Sequence, residues 1–346
     1  MGVVHVLDEY YLGITAIITV GYQILAFIIM LIFGDETIND FAGGSNFLIL
    51  ALVTLNLGGT YYTRSIIVSV FVMIWAIRLA LFLLIRVIKS GGKDTRFDDK
   101  RKQPLKMVGF FIFQIIWVWT VSLPVTLLNS PAASLSIQND GNPAFGARDI
   151  IGIIMWSIGF LWETIADFHK FAWRLSKPPK SQFIHSGLWK FSRAPNYFGE
   201  ILLWWGIFVI ANSVAVSDLI TNKQIKIALW ISILSPLFTM FLLLGLSGLP
   251  LTQKPTGKKF FLMSNRSQDN EDPDCKTAWS RYKAYVEQTS VLIPLPNFIY
   301  RRFPEPLRWI FLDFPFYRFN ETKEGAEVLQ EEEQKHETNT EARAMV

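Results

Sequence analysis

The stretch Ser192–Glu200, SRAPNYFGE, joins a basic loop to the apolar run ILLWWGIFVIANSVAV. Pro195 suits the first turn of a helix, where its missing N–H leaves no bond unmade. Asn196 and Glu200 then stand four residues apart on one helix face. The residues beyond them are membrane-like, which puts Glu200 about one turn inside the apolar zone. A carboxylate at that depth is expensive and marks function by default. The plain structural alternative is a helix-end charge held by Arg193.

Working outward, the length of 346 residues alone allows two domains, but composition points to one membrane-embedded domain. The chain is 51% hydrophobic and 14% aromatic, only 18% of it is charged, and its mean hydropathy is +0.30. That is the profile of an all-α polytopic membrane helix bundle. The net charge of +4 is no nucleic-acid signal, because the basic residues cluster beside apolar runs. A single cysteine, Cys275, excludes an intrachain disulfide framework. No cleavable signal peptide is expected, since the N-terminus lacks a basic region and the first apolar run is long enough to span.

Spans are expected at residues 11–33, 65–88, 107–128, 150–168, 198–216 and 226–246. The apolar run 45–57 is short and bracketed by Gly43-Gly44 and Gly58-Gly59, which reads as a broken, tilted or re-entrant segment. With it there are seven spans; without it, six. Loops 89–106 and 169–193 and the segment after 246 are rich in Lys and Arg, whereas 129–149 and 217–225 are poor in them. The positive-inside rule therefore puts the three basic segments in the cytosol. Residues 129–147 read as a polar loop, 264–275 as a flexible insert and 277–289 as an amphipathic helix. Residues 301–319 mix Arg, Phe, Trp and Pro, which suits a membrane-interface segment. The core domain is read as 1–320. The acidic tail 321–346 is expected to be disordered.

The unusual residues gather at one depth. Arg78 and Arg86 approach the cytosolic end of one span and KDTRFDD (93–99), with Asp94 and Arg96, follows it. Glu163 and Asp167 end another span, and Asn196 and Glu200 open the next. Arginines and lysines beside carboxylates suit a phosphate-bearing, ring-bearing ligand, because Arg grips phosphate with two parallel bonds and Asn or Asp can hold a ribose or amide. Snorkelling interfacial charges and interhelical pairs are the bland alternative. No G-x-G-x-x-G, Walker loop or nucleophile elbow is present, and the four histidines give no metal-ligand spacing.

GLWKFSRAPNYFGEILLWWG (187–206) resembles the signature of the steroid 5-alpha-reductase C-terminal-domain type of membrane protein. The resemblance extends to IWAIRLALFLLIRVIKSGGKDTRFDD (74–99), FQIIWVWTVSLP (113–124) and WSIGFLWETIADFHKFAWR (156–174). It continues through SPLFTMFLLLGLSGLPL (235–251) to RYKAYVEQTSVLIPLP (281–296), and so covers roughly residues 35–300.

That resemblance implies a seven-helix membrane fold, in eukaryotes usually in the endoplasmic reticulum, with NADPH bound from the cytosolic side. It implies reduction of a carbon–carbon double bond conjugated to a carbonyl in a bulky apolar substrate drawn from the bilayer. By motif position, Asn196 and Glu200 look like the nicotinamide-side polar pair. Asp167, Arg174, Arg78, Arg86 and Arg96 look like ribose and phosphate contacts, with Asp94 and Tyr197 placed beside them. Tyr285 matches the tyrosine that precedes the terminal L-I-P. Two features depart from the pattern. The second apolar segment offers Asp40 and Asn46 as catalytic candidates, where the steroid reductases carry a Gln-Glu pair. Trp75 stands where they have a tyrosine. Two other classes stay open: an S-adenosylmethionine-dependent methyltransferase of the isoprenylcysteine carboxyl type, whose R-H-P start differs at Ala194, and a non-enzymatic lipid-binding membrane protein. No metal is expected.

Overall fold

The computed structural model describes the backbone of residues 2–33, 37–89, 104–265 and 273–344, and the side chains of 2–33, 41–89, 107–265 and 273–334. Its elements in chain order are α1 (Leu12–Phe33), α2 (Thr37–Gly58), α3 (Thr63–Lys89), α4 (Pro104–Val121), α5 (Leu123–Asn129), α6 (Pro131–Asp140), α7 (Ala147–Leu175), α8 (Pro195–Asn212), α9 (Lys223–Ile231) and α10 (Leu234–Phe241). There follow α11 (Leu249–Asn265), the single-turn α12 (Pro273–Lys276), α13 (Ala278–Gln288), the single-turn α14 (Asn297–Tyr300) and α15 (Glu321–Ala344). Among the described residues there is no strand, only isolated bridges. The chain divides into two compact units, Met1–Phe160 with Ile201–Met240, and Leu161–Glu200 with Phe241–Val346.

The first helix carries most of its large apolar side chains outward. In α1, Thr15, Thr19, Gln23, Ala26 and Met30 form the buried stripe, while Ile17, Leu25, Leu31 and Ile32 are exposed. Small and polar residues facing the bundle, with branched aliphatics facing out, is the arrangement of a helix solvated by lipid. Among the described residues, five helical stretches are long and apolar enough to cross a membrane: Leu12–Phe33, Phe41–Gly58, Thr63–Lys89, Ala147–Leu175 and the run Lys223–Asn265. Met107–Val121 with Leu123–Asn129, bent by 48°, makes a sixth if the pair is one span. The protein is therefore an all-α integral membrane protein.

Three expectations change. The segment expected to break at 45–57 is one helix, and its glycines serve packing. A Cβ on Gly44 would come within 3.2–3.3 Å of the Ala80 backbone, so α2 and α3 meet at van der Waals distance only because that position is bare. The span expected at 198–216 is α8, which starts earlier and ends at Asn212, with Leu203, Trp204, Ile207 and Ile210 buried. It crosses α7 at Gly206 and Gly152, where a Cβ on either would lie 2.7–2.8 Å from the other's carbonyl oxygen. The loop expected at 129–147 contains α6, which starts at Pro131 and is capped by Ser130, whose hydroxyl accepts from Ala133 N at 3.4 Å. At the centre of this unit Phe47 and Trp204 pack against Trp75, with ring centroids 5.1 and 4.9 Å apart in edge-to-face contact.

The second unit is built around the opening of α8. The backbone of Ser192–Arg193 pairs with the segment after α13: Arg193 N donates to Ser290 O at 2.8 Å and Leu295 N to Phe191 O at 3.1 Å. Ser192 Oγ donates to Leu292 O at 2.8 Å and accepts from Ala194 N at 3.1 Å. Phe183, Phe260, Tyr282 and Tyr285 interlock beside it. The amphipathic helix expected at 277–289 is α13. The stretch 301–319, expected at the membrane interface, forms 3-10 turns that bury Arg308, Asp313 and Tyr317. The acidic tail, expected to lack structure, is helical as α15. It is held to α11 by Lys254–Glu324 (2.7 Å), Lys258–Glu331 (3.0 Å) and the packing of Val328 on Phe261. Tertiary contacts offset the self-repulsion that its composition alone would leave unopposed. The expected flexible insert lies mostly outside the described residues.

Candidate functional site

Pro195 begins α8, and the turn it opens places Asn196 and Tyr197 on a cavity of about 280 Å³ within the second unit. The last turns of α7 contribute Lys170, Trp173 and Arg174, α11 contributes Gln253, Thr256 and Lys259, and α13 contributes Tyr282 and Tyr285. Among the described residues, four cations, Lys170, Arg174, Arg193 and Lys259, line it and no carboxylate does. Concentrated positive charge between aromatic walls attracts an anionic, ring-bearing molecule. The walls are braced from behind. Trp189 Nε1 donates to Ala166 O at 3.1 Å, Lys170 Nζ sits 4.4 Å from the centre of the Trp189 ring, and Tyr285 donates its hydroxyl proton to Trp189 O at 2.6 Å. Burial pushes the Tyr285 phenol well above the usual range, so it stays a donor at every physiological pH.

Arg193 is the most tightly specified side chain of the cavity. Its Nε donates to Thr289 O (3.1 Å), Nη1 to Gln253 Oε1 (3.3 Å) and Nη2 to Asp313 Oδ2 (2.6 Å), and only 2% of the side chain is exposed. Asp313, wholly buried, also accepts from Arg318 Nη2 at 2.8 Å and from the Tyr300 hydroxyl. Burial alone would raise the Asp313 carboxyl, but the charges of Arg193 and Arg318 and the hydrogen bonds it receives outweigh that and hold it below the ordinary value. Tyr300 is pushed up to about 12, first by burial and then by the Asp313 charge.

Of the residues expected from sequence, Arg174, Asn196, Tyr197 and Tyr285 come together in this cavity. Asp167 and Glu200 belong to the same unit, on α7 and α8, but do not line it. Arg78, Arg86 and Asn46 belong to the first unit. Asn46 is fully buried there, and neither its amide nitrogen nor its amide oxygen has a hydrogen-bond partner. Asp94, Arg96 and the side chain of Asp40 lie outside the described residues. Among the described residues no group of His, Cys, Asp or Glu could hold a metal ion. Sequence reasoning missed Lys170, Gln253, Thr256 and Lys259. The last three stand three residues apart along α11, a polar stripe of helical period that could have drawn notice.

The fold and this cavity define an all-α polytopic membrane protein with a basic, aromatic-walled site in the unit that opens α8. The chain belongs to the DUF1295 family, described as proteins of unknown function, which it matches over residues 26–264. No curated protein and no solved structure matches it. The α13 wall and the segment that carries Asp313 lie beyond the matched residues.

Proposed function

We propose that the protein is a membrane-embedded reductase of the steroid 5-alpha-reductase type, with NADPH as cofactor and a bulky apolar molecule bearing an α,β-unsaturated carbonyl as substrate. The observation that carries this reading is the cavity at SRAPNYFGE, with Lys170, Arg174, Arg193 and Lys259 between aromatic walls. The donor set suits a dinucleotide: Arg174, Lys170 and Lys259 neutralise phosphate oxygens, the rings of Trp173 and Tyr197 offer stacking surface, and Asn196 offers an amide to a carboxamide or ribose. NADPH, when bound, supplies a hydride to the conjugated double bond. Titration of the detergent-solubilised protein tests the reading. NADPH should bind, and more tightly than NADH; equal affinity for the two, or binding of S-adenosylmethionine instead, overturns it.

The basic loops support an orientation with this site and the C-terminus in the cytosol, in eukaryotic cells at the endoplasmic reticulum. The sequons Asn265-Arg266-Ser267 and Asn320-Glu321-Thr322 are then expected to stay unmodified when the chain is made in a glycosylating cell. A glycosidase-sensitive mass shift traced to either asparagine would invert the topology.

A further inference from the structure

Residues 297–317 form α14 and the 3-10 turns Glu305–Phe311 and Pro315–Tyr317, and their polarity is that of a soluble loop turned inside out. The charges face in. Arg308 is buried, with Nε donating to Phe303 O at 3.0 Å and the guanidinium 5.0 Å from the centre of the Tyr300 ring. Asp313 is buried between Arg193 and Arg318. The large apolar side chains face out: Phe298, Trp309, Ile310 and Phe316 are each 55–58% exposed. In water this arrangement is unfavourable twice over, because apolar area stays wet and charge is desolvated. Against lipid the exposed face is solvated by its own kind, and the inward pairs keep the charges out of hydrocarbon.

The segment is also pinned at a membrane boundary. Tyr317 donates its hydroxyl proton to Leu244 O at 2.6 Å. Leu244 belongs to the wide turn Leu242–Leu246, inside the run Lys223–Asn265 that is long and apolar enough to cross a membrane. Phe241, Leu246 and Leu251 are exposed around that turn, and Lys254, Lys258 and Lys259 come next in the chain. Apolar surface followed by lysines marks the passage from acyl chains to headgroups. Phe316 packs on Tyr317, with ring centroids 4.3 Å apart, so the outer face runs on into the apolar surface of the wide turn. We infer that the outer face of residues 297–317 docks on an anionic phospholipid surface. Phe298, Trp309, Ile310 and Phe316 bed at the acyl boundary, and Arg301 and Arg302, both exposed, bind lipid phosphates. A second copy docking by the same face would add like charge to like, whereas anionic headgroups complement the arginines. Residues 297–317 lie beyond the part of the chain matched to the family, 26–264.

Cys275 is the chain's one cysteine, so Cys275→Ser gives a thiol-free background for spin labels. Trp309→Cys and Phe316→Cys, each made in that background and labelled with a nitroxide, are placed as full-length protein in nanodiscs of phosphatidylcholine and phosphatidylserine. Both positions are exposed, so melting in detergent is expected to match the parent. Each label should collide more often with molecular oxygen, which concentrates among acyl chains, than with a water-soluble nickel chelate. Adding Arg301→Gln/Arg302→Gln should raise the ratio of water-exposed to lipid-exposed label about fivefold per arginine removed, the effect of one basic residue at an anionic surface. Discs of phosphatidylcholine alone should shift the ratio in the same direction. Labels that meet the nickel chelate more often than oxygen overturn the inference. So does a ratio that is the same with and without the arginines. Spectra broadened by neighbouring spins, and sharpened on dilution with unlabelled protein, overturn it too, since a second copy would then cover the face.

Discussion

Replacing Asp313 by alanine is expected to destabilise the second unit by about 3–5 kcal/mol, because it strands the buried Arg193 guanidinium and strips Arg318 of a partner. The full desolvation penalty of Arg193 then stands uncompensated, since its remaining partners, Thr289 O and Gln253 Oε1, are neutral. Glu305→Ala, which removes the exposed partner of the same Arg318, should change stability by less than about 1 kcal/mol. Denaturant unfolding of the three proteins in detergent, followed by Trp fluorescence, separates them. Similar midpoints for Asp313→Ala and the parent would mean that the triad contributes little. The pH dependence has a definite sign. A carboxyl whose folded value is depressed contributes stability above its unfolded pKa, near about 3.9, and loses it as pH falls through the folded value. The contribution of Asp313 is therefore intact at neutral pH and disappears only in strong acid. NADPH binding should weaken in Asp313→Ala as well, because Arg193 lines the cavity and fixes the residues that lead into Pro195.

In the first unit, Arg64→Ala is expected to cost a similar 3–5 kcal/mol. Arg64 grips Asp149 with two parallel bonds, Nε to Oδ1 at 2.7 Å and Nη2 to Oδ2 at 2.9 Å, and donates further to Pro143 O and Ala144 O, both at 2.6 Å. Asp149 also accepts from Ser213 Oγ at 2.7 Å and Gly146 N at 2.8 Å. Removing the guanidinium leaves a buried carboxylate and two carbonyl oxygens unpaired. The double variant Arg64→Met/Asp149→Leu should recover much of the loss, since an apolar pair of similar volume leaves neither charge exposed to a low dielectric. If the double variant is no more stable than Arg64→Ala, the network stabilises through its backbone contacts rather than through the ion pair.

The composition, the apolar run lengths and the charge of the loops determined the class and most of the helices, because a bilayer imposes a length and a polarity that can be read one residue after another. Pro195 and the turn after it marked the start of α8, since backbone preference is a local property, whereas Arg174, Tyr197 and Tyr285 were suggested by the resemblance of their motifs to a known family. Contacts between distant segments decided the rest. Gly43-Gly44 signals a break in sequence, yet Gly44 is the place where α3 comes so close that a Cβ would have to push it back by a few tenths of an ångström, and α8 is buried because other helices surround it. The acidic residues of α15 predict disorder until the lysines of α11 and the ring of Phe261 are beside them. Arg193 and Asp313 lie 120 residues apart, and no local pattern announces that one charge will bury the other. Period and propensity act within a few residues, whereas desolvation and charge pairing depend on what the folded chain brings within 3 Å, and only the tertiary structure decides that.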